Sequence, residues 1–319
     1  MSYVALKVST ADSTSREADS LRTIGGSPGV PDFLSRSMLP LIHDEFEVQS
    51  SNGSHRCYVT SAAMCSIATA KFTSLFSLES ARAIAGQLVL AVAYVHAQGF
   101  VHGDIHLRNV LLRLSSGLNE LSIKRFYKSI GKPRTEPVSR LDKGSLSPGV
   151  PPYGTVPSPL PVLPPEAHHQ PERPLSFSVD IWTLACALWE IFSSRALFDA
   201  TLATRDDIAA QQVDILGPLP AEWWDCWEAR GEYFDEDGRP VTGRFVFPSL
   251  EEIFETDVQA ARRKDNMGEF GAEEKEVFLG MLRPILVFRP EERATAVETL
   301  NSLWMREWGL PSVERMGEA

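Results

Sequence analysis

One stretch constrains this chain more than any other: Val101-His102-Gly103-Asp104-Ile105-His106-Leu107-Arg108-Asn109-Val110-Leu111-Leu112. A short polar segment lies between an apolar periodic region and an apolar run, the pattern of a loop joining a helix to a strand. Asp104 and Asn109 stand five residues apart in it. A carboxylate in such a loop can orient an attacking hydroxyl and take its proton, while the amide can reach a magnesium ion on a chain of phosphates. Ile105 and Val110–Leu112 anchor the two ends. The plain alternative is a loop with a capping aspartate and a turn asparagine. It loses ground because further signals fall in order with this stretch.

The charge is uneven: residues 1–165 carry a net +4 and residues 166–319 a net −15. An acidic C-terminal half argues against a nucleic-acid surface there and suits basic partners. Four scattered cysteines, Cys57, Cys65, Cys186 and Cys226, contain no C-x-x-C pair, so neither a disulfide framework nor a zinc site is expected. No apolar run reaches membrane-span length and no N-terminal signal pattern is present, so the expectation is a cytoplasmic or nuclear protein with no membrane partner.

Tyr3–Val8 alternates like a strand, and Ser15–Leu21 reads as a helix start. Residues 25–37 are rich in Gly, Pro and Ser and read as a loop; strands are predicted around Leu39–Phe46 and His55–Thr60. Ser77 is placed to cap a helix over Leu78–Ala97, whose Ile84, Leu88, Ala91, Val92 and Val95 recur at helical spacing, and Gly99 closes it. Between Ser115 and Pro165 ten residues are proline and basic residues cluster from Lys124 to Lys143, the composition of an extended insertion with one short helix near Leu121–Ile130. An almost wholly apolar helix runs from Asp180 to about Phe192. Trp223, Trp224 and Trp227 are spaced as core, although a peptide-binding patch has the same spacing.

The loop at 101–112 resembles the catalytic loop of the protein-kinase superfamily. Its His-Gly-Asp-x-His-x-x-Asn form also resembles small-molecule kinases of the aminoglycoside and choline phosphotransferase type. Three later motifs decide between them. Pro164-Pro165-Glu166 looks like the Ala-Pro-Glu element that closes a protein-kinase activation segment, Asp180-Ile181-Trp182 like the start of the central C-lobe helix, and Arg289-Pro290-Glu291-Glu292-Arg293 like the region of the buried arginine that pairs with the Ala-Pro-Glu glutamate. Small-molecule kinases lack these. Stretches at 211–220, 234–238 and 267–270 resemble fungal relatives of the SR-protein kinases.

The resemblance implies an α+β fold: a protein-kinase-like bilobal chain with a reduced β N-lobe and a helical C-lobe. The expected division is a partial N-lobe at 1–60, hinge, long helix and catalytic loop at 61–114, a Pro-rich insertion at 115–163, and a helical C-lobe at 164–310. It further implies Asp104 as base with His106 beside it, Asn109 on magnesium, and Ala5 and Lys7 at the nucleotide with Glu17 orienting Lys7. Glu166, Asp180 and Arg293 are structural. ATP and Mg2+ are the implied cofactors, and a protein or peptide rich in Arg and Ser the implied substrate.

Two family features are missing from the sequence. Six residues before Lys7 leave no room for a glycine-rich phosphate loop, and no Asp-Phe-Gly follows Asn109. Asp142-Lys143-Gly144 is the nearest approach, 33 residues on and without an apolar strand before it. Gly103 and His106 stand where the family usually carries Arg and Lys. Impaired ATP-dependent transfer to protein hydroxyls is therefore the expectation; a pseudokinase scaffold, or a truncated product without catalysis, is the alternative.

Overall fold

The computed structural model describes residues 3–13, 17–26, 38–51, 53–72, 74–114, 121–130, 136–137, 153–154, 164–170, 172, 176–199, 201 and 203–317. The elements begin with β1 (Val4–Val8), α1 (Glu17–Gly26), β2 (Ile42–Ser50), β3 (Gly53–Ser61) and β4 (Ala63–Ser66). Next come α2 (Ile67–Lys71), α3 (Leu78–Ala97), β5 (Leu111–Arg113), α4 (Ile123–Ile130), and the two-residue strands β6 (Glu136–Pro137) and β7 (Tyr153–Gly154). The rest is helical: α5 (Pro165–His169), α6 (Phe177–Phe192), α7 (Arg205–Leu216), α8 (Ala221–Cys226), α9 (Leu250–Ile253), α10 (Ala261–Lys264), α11 (Ala272–Ile285), α12 (Ala296–Leu300) and α13 (Leu310–Gly317). This is a mixed α+β chain. Its described residues fall into two compact units, one drawn from 1–29, 39–66 and 111–160, the other from 30–38, 67–110 and 161–319.

In the first unit β1, β3 and β2 form an antiparallel sheet in that order, with Lys7 opposite Tyr58 and Phe46 opposite Cys57. The pleat puts Val4, Leu6 and Val8 on one face and Ala5 and Lys7 on the other. Charges link α1 to the sheet: Asp19 meets Arg56, Arg22 meets Glu45, and Glu17 meets Lys7. β2 runs on to Ser50, past the expected end at Phe46. Its last four residues are exposed and only Val48 among them is apolar, so backbone pairing with β3 carries the strand there. Of the insertion, α4 is described close to the expected short helix; Asp142-Lys143-Gly144 lies outside the described residues.

The second unit is built round α3 and α6. Ser77 caps α3 by accepting the Ser80 N–H, and twelve of its residues are buried. α6 starts at Phe177, three residues before the predicted start, and buries both faces: Trp182, Leu184, Leu188, Trp189 and Phe192 are fully enclosed. Each such side chain contributes roughly 1.5–3 kcal/mol on burial. α3 meets the C-terminal segment at Gly86, where an added Cβ would lie 2.9 Å from the Gly309 carbonyl oxygen. Glycine is needed there for close approach.

Two buried arginines tie this unit. Arg262 gives its guanidinium to the carbonyls of Phe76 (2.9 Å), Phe192 (3.2 Å), Met267 (2.8 Å) and Gly268 (2.7 Å). Burial lowers its pKa to about 10. Arg293 is described with the site below. Trp223 and Trp227 are buried in one cluster with Phe234 and Phe288, and Trp224 packs on its edge, so these tryptophans are core.

Candidate active site

The loop at 101–110 lies in the second unit, and α6 holds it from beneath. Asp180, in the first turn of α6, is fully buried. One of its oxygens accepts the His102 N–H and the other the Gly103 N–H, both at 2.7 Å. A third donor is the His96 ring, whose Nε2 lies 2.9 Å from Asp180 Oδ2. A carboxylate only accepts, so that ring nitrogen carries the proton. Three bonds on one enclosed carboxylate offset its desolvation and fix the start of the loop. Gly103 has φ +75°, in the left-handed region where a side chain is strained, so glycine suits this position.

The middle of the loop alternates. Ile105 and Leu107 are buried, which leaves Asp104 and His106 on the outer side. Asp104 has 56% of its side chain exposed. Asn109 donates Nδ2–H bonds to Asp104 Oδ2 (2.8 Å) and to the Asp104 carbonyl (2.9 Å), closing the five-residue span. His106 Nε2 lies 3.4 Å from Asp104 Oδ1. The exit of the loop is bonded to α2: Ile67 N–H reaches the Val110 carbonyl at 2.8 Å and Ala68 N–H the Leu107 carbonyl at 3.0 Å.

Glu166 and Arg293 meet in the same unit as a buried bidentate pair, at 2.7 and 2.6 Å. Arg293 also donates to the carbonyls of Val287, Ser178 and Phe288, and its guanidinium lies 5.0 Å from the Trp182 ring. Thus α5 is fastened to α6 and to the segment before α12 by one guanidinium.

In the first unit Lys7 pairs with Glu17, both largely exposed, and Lys7 Nζ lies 5.8 Å over the Tyr58 ring. Burial and the Glu17 carboxylate push the Tyr58 hydroxyl pKa well up. Ala5 is on the same face of β1 as Lys7, opposite Thr60. The predicted residues therefore gather in three clusters: Asp104, His106, Asn109 and Asp180; Glu166 and Arg293; Ala5, Lys7 and Glu17. Among the described residues no group of three or more His, Cys, Asp or Glu is arranged to hold a metal ion. Sequence reasoning missed His96. Its signal is faint: one histidine in the last turn of a mostly apolar, largely buried helix, meaningful only beside a buried aspartate.

No protein-family model matches the chain. It is 27% identical over 341 aligned positions to a serine/threonine protein kinase of Aspergillus fumigatus, covering 95% of this chain and 78% of that one. It is 25% identical to the serine/threonine-protein kinase AFC3 of Arabidopsis thaliana over 72% of this chain and 57% of the relative. It is also 26% identical to the serine/threonine-protein kinase SRPK of Physarum polycephalum, over 41% and 30% respectively. The chain resembles the Ser/Thr protein kinases over nearly its whole length.

Proposed function

We propose that this chain is a Ser/Thr protein-kinase-type phosphotransferase of reduced competence, with the part that handles the acceptor hydroxyl intact. The observation that carries this is the loop itself: Asp180 pins its start and Asn109 closes on Asp104, which leaves an exposed, oriented carboxylate. Asp104 would accept a hydrogen bond from the substrate hydroxyl and take its proton as the oxygen attacks. On this reading the first unit supplies the strand-rich lobe of a bilobal kinase and the second the helical lobe.

The residues fit the implied nucleotide and ion in part. Magnesium takes one or two hard oxygen ligands from protein and the rest from phosphates and water. Asn109 spends its NH2 on Asp104, so its Oδ1 remains as such a ligand. Lys7, oriented by Glu17, would meet the α- and β-phosphates, with Ala5 beside the adenine. ATP bound with magnesium supplies the phosphoryl group and neutralises the charge on it. The second metal ligand is where the chain is thin. From 110 to 163 the sequence holds a single aspartate, Asp142, with Arg140 and Lys143 near it rather than an apolar strand. This supports impairment, and it is also what favours the pseudokinase reading. The acidic second half, 30 Asp and Glu against 15 Lys and Arg from 166 on, supports a basic Arg/Ser-rich substrate.

The test is purified protein with magnesium-ATP and an Arg/Ser-repeat peptide, run beside Asp104→Ala. The expected turnover is below about a hundredth of the ~1–100 per second of ordinary kinases, and Asp104→Ala abolishes it. Turnover in the ordinary range overturns the impairment, and transfer that survives Asp104→Ala overturns the role of Asp104. Nucleotide binding without transfer moves the chain to the pseudokinases.

A further inference from the structure

We infer that His106 is a positioning residue for Asp104, held as the neutral Nε2–H tautomer by the backbone of its own loop; this rests on the reading of Asp104 as the acceptor-orienting carboxylate. His106 Nδ1 receives the backbone N–H of Arg108 at 3.2 Å. A ring nitrogen that accepts carries no proton, so in the neutral ring the proton is on Nε2. That nitrogen faces Asp104 Oδ1 at 3.4 Å, while the other oxygen of the same carboxylate takes the Asn109 Nδ2–H at 2.8 Å. Asp104 thus stands between an imidazole N–H and an amide N–H, one for each oxygen.

The loop uses the same device twice. His102 Nδ1 accepts the Asp104 N–H at 3.2 Å, again two residues on, as an Asx side chain does in a turn. Each ring therefore fixes backbone with Nδ1 and keeps Nε2–H for another partner. For His106 the backbone on both sides is fixed, because Ile105 and Leu107 are buried and the Asn109 N–H bonds to the His106 carbonyl at 2.9 Å. What remains loose is the Asp104 side chain, which is more than half exposed. Its two contacts restrict the rotation that would turn it from an acceptor hydroxyl. The 3.4 Å separation is long for a hydrogen bond, and such contacts commonly tighten once substrate is bound. A lysine in this place would offer a flexible point charge; the imidazole offers a donor whose direction the backbone sets.

The deciding measurement is the ring-nitrogen spectrum of the full chain labelled with 15N-histidine, recorded at about pH 8, above the ordinary histidine range. His106 is assigned from His106→Gln. The expected result is a protonated Nε2 and a bare Nδ1, with the Nε2–H resonance moving in Asp104→Ala. An Nδ1–H ring, or a resonance that ignores Asp104→Ala, overturns the inference. This readout needs no turnover, so it stands even where the kinase reading fails. Where transfer is measurable, His106→Ala is expected to lower kcat by about tenfold, a share of the 10²–10⁴ supplied by a positioned base, with peptide KM unchanged. His106→Gln, which keeps a neutral donor, should restore most of that. A Gln variant as slow as the Ala variant, with both folded by melting temperature, also overturns it.

Discussion

Two ion pairs, one in each unit, combine a base with a glutamate under opposite conditions. Glu166–Arg293 has side chains 4% and 0% exposed, and the arginine has three further carbonyl acceptors. Lys7–Glu17 has side chains 56% and 43% exposed. Burial changes what the contact does. In the second unit the pair is part of the packing: removing the arginine strands Glu166 and takes a donor from three carbonyls in a low-dielectric core. In the first unit water can replace either partner, so the pair orients Lys7 without holding the sheet together. The second unit is thus built to keep its groups in place, and the first to present them.

The largest test of this contrast is Arg293→Ala, expected to cost about 3–5 kcal/mol because Glu166 remains buried without a partner. A melting temperature equal to that of the parent chain would break the comparison.

A smaller effect should appear in acid. Burial lowers the His169 pKa to about 4, helped by the neighbouring His168 and opposed by Asp206. The ring stacks on Trp223 with centroids 5.2 Å apart. The unfolded chain binds a proton at this histidine near pH 6.5, while the folded chain resists until about pH 4. Its contribution is therefore complete above about 6.5 and is lost as pH falls toward 4. The ring is partly solvated, which weakens the effect. His169→Phe, which keeps the stack, should flatten the fall in melting temperature over that window; an unchanged slope would assign the acid response elsewhere.

The smallest effect belongs to the exposed pair. Lys7→Ala should change stability by no more than about 1 kcal/mol, and less in high salt. A loss equal to that of Arg293→Ala would mean that the first unit depends on its charges as the second does.

Much of the second unit was legible in the sequence because its signals are local or buried. The long helix reads from Ser77 and its apolar spacing, and α6 from an almost wholly apolar run. Asp104, Asn109, Asp180, Glu166 and Arg293 are charged or polar residues inside apolar context, where chance seldom puts them. The first unit was harder to read. β1 reads from its alternation, but β2 is largely exposed and runs four residues past its expected end, where Val48 is the one apolar residue. The ring contacts of His96 and His106 were hidden for another reason. They depend on which ring nitrogen meets which partner, and nothing in residue spacing encodes that. The start of α6 at Phe177 is hard to read because its first turn, Phe177-Ser178-Val179-Asp180, mixes polar and apolar residues ahead of the apolar stretch.

With both N–H groups of His102 and Gly103 bonded to the buried Asp180, the loop is expected to be set before any nucleotide or phosphorylation acts on it. Backbone hydrogen exchange at His102 and Gly103 measures this directly, in the phosphatase-treated chain without nucleotide. Both amides are expected to exchange slowly, close to the α6 core, and Asp180→Ala should release them by about 1.5–3 kcal/mol of protection each. Fast exchange in the parent chain, or protection that appears only with nucleotide or phosphate on the chain, would contradict the account.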